Sequence, residues 1–172
     1  LEGVDMSDNG RFVVIASTGE PTASVEANAV AQVYLYDAVT EDITLLSRSP
    51  EGLPGNDDSL RPTISGDGRY VVFETVATNI LGADLNGPIR DIVLLDRLRG
   101  TRQAVNVNSY GELAQIQFIN LDEPLFIDSE TARISKDGSA VAFVSRAQNL
   151  EVNHPNEWWD DKLYVRDLEA GT

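Results

Sequence analysis

Apolar residues along this chain gather into short runs of strand length, each introduced by a polar turn rich in Gly, Asp and Asn. Ser7-Asp8-Asn9-Gly10 precedes Arg11-Phe12-Val13-Val14-Ile15, and Ser65-Gly66-Asp67-Gly68 precedes Arg69-Tyr70-Val71-Val72-Phe73. Ser135-Lys136-Asp137-Gly138 precedes Ser139-Ala140-Val141-Ala142-Phe143. Asn-Gly and Asp-Gly supply the positive φ angles that tight hairpin turns demand. The runs after the turns are nearly continuous in apolar character, which suits strands covered on both faces. No segment sustains a 3.6-residue apolar period, so no substantial helix is predicted.

A second pattern keeps step with the first. It reads Val33-Tyr34-Leu35-Tyr36-Asp37, then Ile92-Val93-Leu94-Leu95-Asp96, then Leu163-Tyr164-Val165-Arg166-Asp167. Ser7 to Ser65 is 58 residues and Asp37 to Asp96 is 59; Ser65 to Ser135 is 70 and Asp96 to Asp167 is 71. Two independent markers therefore hold register to within one residue. A further strand is predicted at Ile43–Leu46 and again at Gln103–Val107, and a first strand precedes each turn, as in Pro62-Thr63-Ile64 and Ala132-Arg133-Ile134. Each unit thus reads as four short antiparallel strands. Tandem four-stranded units are the mark of β-propeller blades. The expected fold is all-β, a partial or assembled propeller, with units at about 1–58, 59–128 and 129–172, the last incomplete.

The run Ser65 to Phe73, then Ala77-Thr78-Asn79-Ile80, Asp84-Leu85-Asn86-Gly87 and Asp91 to Arg97, resembles TolB-like propeller repeats, as does the linker Gly55 to Ser65. The first unit departs from the pattern at Thr18 to Ala31. The resemblance implies a propeller of the kind often exported by bacteria, hence an extracellular or periplasmic location. It does not imply one activity, because a fold hosts many. Three blades do not close a ring, so apolar blade faces are expected to be covered either by more of a longer chain or by copies of this one. The start at Leu1-Glu2-Gly3, without a leader or initial Met, is the beginning expected of a processed product or an excised piece.

Composition narrows the chemistry. There are 13 Lys and Arg against 28 Asp and Glu, a formal net charge of −15, which argues against a nucleic-acid partner and favours cations. The chain has no Cys and one His, His154, so disulfides, thiolate chemistry and multi-histidine metal centres are excluded. No apolar stretch approaches the roughly 18 residues of a membrane helix, so no membrane span is predicted.

Asp84, Asn86 and Asp91 form the candidate metal loop, since alternating oxygen side chains around a Gly can wrap calcium. The Glu that closes an EF-hand loop is replaced by Leu95. The competing reading is a self-bonded Asx turn. Trp158 and Trp159 are the candidate contact residues, for a sugar ring or a protein partner, against a role as filler between blades. His154 has no partner visible in the sequence, and no Gly-x-Ser-x-Gly elbow is present, so no catalytic residue is assigned. Asp37, Asp96 and Asp167 recur in every unit, which points to structure: each is expected to accept backbone N–H bonds in the turn that follows. Asn108 to Thr131 is the longest departure from the repeat, apolar enough to pack on a blade or meet a partner. The function expected is a non-catalytic scaffold that binds protein partners or copies of itself. The alternatives are the propeller portion of a larger hydrolase and a carbohydrate-binding module.

Overall fold

The computed structural model describes residues 3–18, 30–82, 87, 89–114, 128–147, 149–150 and 161–170. Within them there are eleven strands and no helix; no helix of the described residues is long and apolar enough to cross a membrane. The first sheet is a four-stranded antiparallel meander of β1 (Val4–Met6), β2 (Phe12–Ser17), β3 (Gln32–Asp37) and β4 (Ile43–Leu45). The second repeats it with β5 (Ser59–Ile64), β6 (Tyr70–Thr75), β7 (Asp91–Asp96) and β8 (Thr101–Ala104). The third contains β9 (Ser129–Ile134), β10 (Ala140–Ser145) and β11 (Lys162–Asp167).

Register shows how closely the sheets repeat. Phe12 lies opposite Asp37, Tyr70 opposite Asp96 and Ala140 opposite Asp167. The first strands of the second and third sheets carry the same bulge, one extra residue between Leu60 and Thr63 and one between Glu130 and Arg133. Arg61 and Thr131 sit in those bulges at φ 49° and 59°, the left-handed region that disfavours residues with a Cβ.

Sheets stack face to face, so the core lies in two seams. Val14, Ala16, Val33, Leu35 and Leu46 of the first sheet meet Ile64, Val71, Phe73, Val93 and Leu95 of the second. Val72, Ile92, Leu94 and Val105 on the other side of the second sheet meet Ala132, Val141 and Phe143 of the third. All six residues of β7 are buried, whereas β11 alternates between half-buried and exposed. The continuous apolar pattern therefore means two-sided burial only in the middle sheet. The outer sheets have one packed neighbour among the described residues, and their second strands alternate accordingly. Each fully buried aliphatic side chain contributes about 1.5–3 kcal/mol, which concentrates stability at the middle.

The fourth strands end earlier than the apolar pattern suggests. The predicted Gln103–Val107 strand is displaced to β8, Thr101–Ala104, for a polar reason. Val105 N–H still bonds to Ile92 O, but the Asn106 side chain then takes the Ile92 N–H through its Oδ1 at 3.0 Å. In the first sheet Ser47 Oγ does the same for Val33 N–H at 2.9 Å. A side chain replaces the next rung of the ladder, and the main chain is free to turn.

Candidate functional site

The recurring turn is a small hydrogen-bonded machine. Ser7, Ser65 and Ser135 each accept the N–H of the residue five positions on, Phe12, Tyr70 and Ala140, at 2.9–3.0 Å. Asn9, Asp67 and Asp137 each accept the N–H two positions on. Gly10, Gly68 and Gly138 close the turns at φ 69°, 76° and 73°. Ser135 and Ser139 bonds hold the Asp137 carboxyl down at about 2, and the Ser65 bond lowers Asp67 in the same way.

Asp37, Asp96 and Asp167 do accept backbone N–H bonds in the following turn, from Val39, from Leu98 and Arg99, and from Glu169 and Ala170. In two units the same carboxylate also takes a bidentate arginine. Arg11 reaches Asp37 at 2.9 and 2.7 Å, and Arg69 reaches Asp96 at 3.2 and 2.6 Å. The Arg11 bond is the main reason Asp37 is lowered to about 2, and the Arg69 bond lowers Asp96. The third unit has Ser139 at the arginine position.

These turns join the sheets. The Phe12 ring rests on Gly68 of the next sheet, and a Cβ at Gly138 would lie 2.8 Å from the Tyr70 ring. The Arg97 guanidinium covers Phe12 at 4.1 Å from the ring centroid, a cation–π contact. Main-chain bonds cross the turns as a ladder: Asp8 N–H donates to Gly66 O at 2.9 Å, and Gly66 N–H to Lys136 O at 2.7 Å. Lys136 Nζ spans the middle turn to reach Asp8 Oδ1 at 3.1 Å.

At its two ends this seam chemistry is open among the described residues. Gly10 occupies the place of Gly68 and Gly138, yet nothing lies within 4 Å of where its Cβ would be. The aromatic position is Ala140 in the third sheet. Val4 pairs with Ile15 and Met6 with Val13 on the face of the first sheet turned away from the second, and Val4 and Met6 are 60% and 62% exposed. On the far face of the third sheet Leu163 pairs with Val144 and Val165 with Ala142; Leu163 and Val165 are 71% and 64% exposed. These are the apolar blade faces that three units of a stacked repeat leave uncovered.

A charged cluster sits at the seam of the second and third sheets. Glu74, fully buried in β6, accepts Arg61 Nη1 at 2.8 Å and the N–H of bulged Thr131 at 2.7 Å. Arg90 stands 3.7 Å from the same carboxylate, and Glu130 lies 3.5 Å from Arg61. It ties both bulges together and contains no nucleophile–base pair.

Of the residues singled out in the sequence, Asp91 begins β7, is 4% exposed and accepts Asn106 Nδ2 at 2.7 Å. Asp84, Asn86, His154, Trp158 and Trp159, and most of the 108–131 segment, lie outside the described residues. Among those described, no three Asp, Glu or His side chains are grouped to hold a metal. The sequence reading missed Arg11, Arg69 and Glu74. Two of them had a signal, an Arg followed by an aromatic and then, 26 or 27 residues later, the recurring Asp.

Comparison with solved structures places this arrangement. The chain superposes on TolB from Acinetobacter baumannii with a TM-score of 0.57 at 15% identity, over 99% of this chain and 31% of that one. The fold is that of TolB-like β-propeller blades. The β-propeller domain of the Trilobed protease from Pyrococcus furiosus gives a TM-score of 0.57 at 9% identity, covering 98% of this chain and 39% of that one. Pyrococcus horikoshii acylaminoacyl peptidase gives 0.53 at 13% identity, covering 100% and 24%. The chain thus spans well under half the length of each of these three solved chains. No family model matches the sequence, and no curated protein matches it.

Proposed function

We propose that this chain is a non-catalytic propeller segment that works by protein contact, its end blade faces seating another blade of the same kind, in a periplasmic or extracellular setting. The observation that carries the reading is the pair of open seam ends. Gly10 offers the flat seat that Gly68 gives to Phe12, and the Asp8 carbonyl stands where Gly66 O and Lys136 O each accept a neighbour's N–H. The matching blade presents an N–H to Asp8 and a ring to Gly10. The third sheet of a second copy presents the N–H of Lys136 but only Ala140 in place of the ring.

The test is sedimentation of the native chain against Ala140→Phe. The substitution is expected to tighten self-association about tenfold, the scale of one buried aromatic contact. Adding Gly10→Asn, which keeps the left-handed turn and fills the seat, is expected to cancel the gain. Association unchanged by Ala140→Phe, or a gain that survives Gly10→Asn, overturns the seating. A chelator arm of the same experiment tests calcium at Asp84, Asn86 and Asp91: loss of assembly on chelation supports it. A second reading, the propeller portion of a larger hydrolase, draws on the protease and peptidase among the similar structures and predicts a hydrolase domain in the same polypeptide.

A further inference from the structure

Outside the blade faces, one hollow carries charge that the fold leaves unused. It opens at the seam of the first and second sheets, encloses about 180 Å³, and is lined by Leu35, Thr44, Leu46, Arg48, Leu95, Arg97, Gly100 and Arg102. Three of these eight residues are arginines and none is acidic, in a chain whose net charge is −15. Six other arginines, Arg11, Arg61, Arg69, Arg90, Arg99 and Arg146, lie within ion-pair distance of a carboxylate, and Arg133 donates to Ala132 O. Arg97 is spent on Gly68 O and the Phe12 ring. Among the described residues, Arg48 and Arg102 have no carboxylate within ion-pair distance. Arg102 Nε is a buried donor without an acceptor, the one such side-chain atom among the described residues.

A buried donor without an acceptor destabilises the fold, and this one belongs to a residue that lines the hollow, so an acceptor that enters there is favoured. Burial pushes the Arg102 guanidinium below its ordinary value, and the nearby Arg48 charge adds to that push; both effects are relieved by an anion. The walls say what kind. Leu35, Leu46 and Leu95 are apolar and poorly suited to a fully hydrated inorganic ion, and the volume is below the roughly 300 Å³ of drug-sized sites. We propose that this hollow binds a small organic carboxylate, its oxygens held by Arg48 and Arg102 and its aliphatic tail laid against Leu46 and Leu95. Guanidinium forks match carboxylate geometry in just this way. The inference is independent of blade seating.

The experiment is thermal unfolding of the whole chain with sodium butyrate, sodium phosphate or 1-butanol, ionic strength being matched with sodium chloride. A saturable rise in Tm with butyrate is expected, larger than with phosphate and absent with butanol, since a ligand of the native state stabilises by mass action. Arg48→Gln and Arg102→Gln are each expected to raise the half-saturating butyrate concentration about tenfold, the loss of one charge-assisted contact. Arg48 is exposed and lies outside the named strands, so that variant decides the matter if Arg102→Gln folds poorly. No rise beyond the chloride control, a phosphate effect equal to butyrate, or a butyrate effect unchanged in the Arg48 variant overturns the proposal. Methyl resonances of Leu46 and Leu95 that stay fixed during the titration do the same.

Discussion

Asp37 serves two partners with one carboxylate, the Arg11 fork and the Val39 N–H, and both favour its charged form. Its folded value is about 2, against roughly 3.9 in an unfolded chain. A depressed folded value means that the unfolded state takes up protons first as the pH falls. The stabilisation is therefore complete above about pH 4 and is lost between there and about pH 2. Asp137 has the same window, and Asp67 and Asp96 shift in the same direction. Urea midpoints measured from pH 6 to pH 2 are expected to drop for the wild type, and for Asp37→Asn to start lower and converge with it near pH 2. A constant gap across that range would mean that the charge on Asp37 contributes nothing. The role of this Asp in its own turn was legible from its threefold repetition. Its arginine was missed, because the partner lies 26 residues away across a hairpin and the Arg–aromatic pair that marks it shows only when the first two units are compared.

At the level of strands, turns and apolar runs announced where elements begin better than where they stop. β2, β6 and β10 follow their Gly turns as the pattern requires, since positive φ at Gly10, Gly68 and Gly138 fixes the hairpin. β8 stops early because Asn106 takes over the backbone bonding, and an Asn carries no strand-or-stop label in isolation. The bulges were invisible for a similar reason: neither Arg61 nor Thr131 is a residue that favours φ near 50–60°. What holds them is Glu74, which reaches both. Glu74→Ala leaves the Thr131 N–H and the Arg61 charge without that acceptor. The expected cost is about 3 kcal/mol, the bottom of the roughly 3–5 kcal/mol range for broken buried pairs because Arg61 keeps nearly half its surface in water. Chemical denaturation of Glu74→Ala against Glu74→Gln checks it, Gln retaining one acceptor and losing less.

For the molecule as a whole, the three sheets form a graded stack. The middle sheet is packed on both faces, and the third has, among the described residues, one packed face, an alanine in place of the ring and no arginine fork on Asp167. In repeat folds, where stability is a sum over units and their seams, the third sheet is expected to open first. Native-state hydrogen exchange should find β10 and β11 amides less protected than those of β6 and β7 by about tenfold or more; equal protection would show one cooperative block. The candidate sites were less legible than the fold, because a seat, a ladder end and a converging arginine pair are made by residues far apart in the chain. Gly66 carries a last consequence. A side chain there would begin 2.9 Å from the Lys136 carbonyl and 2.5 Å from the Asp8 carboxylate, so the Asp of the first unit or the Lys of the third, set in the middle, would push those neighbours aside. The units look like copies, yet they are not interchangeable at this position.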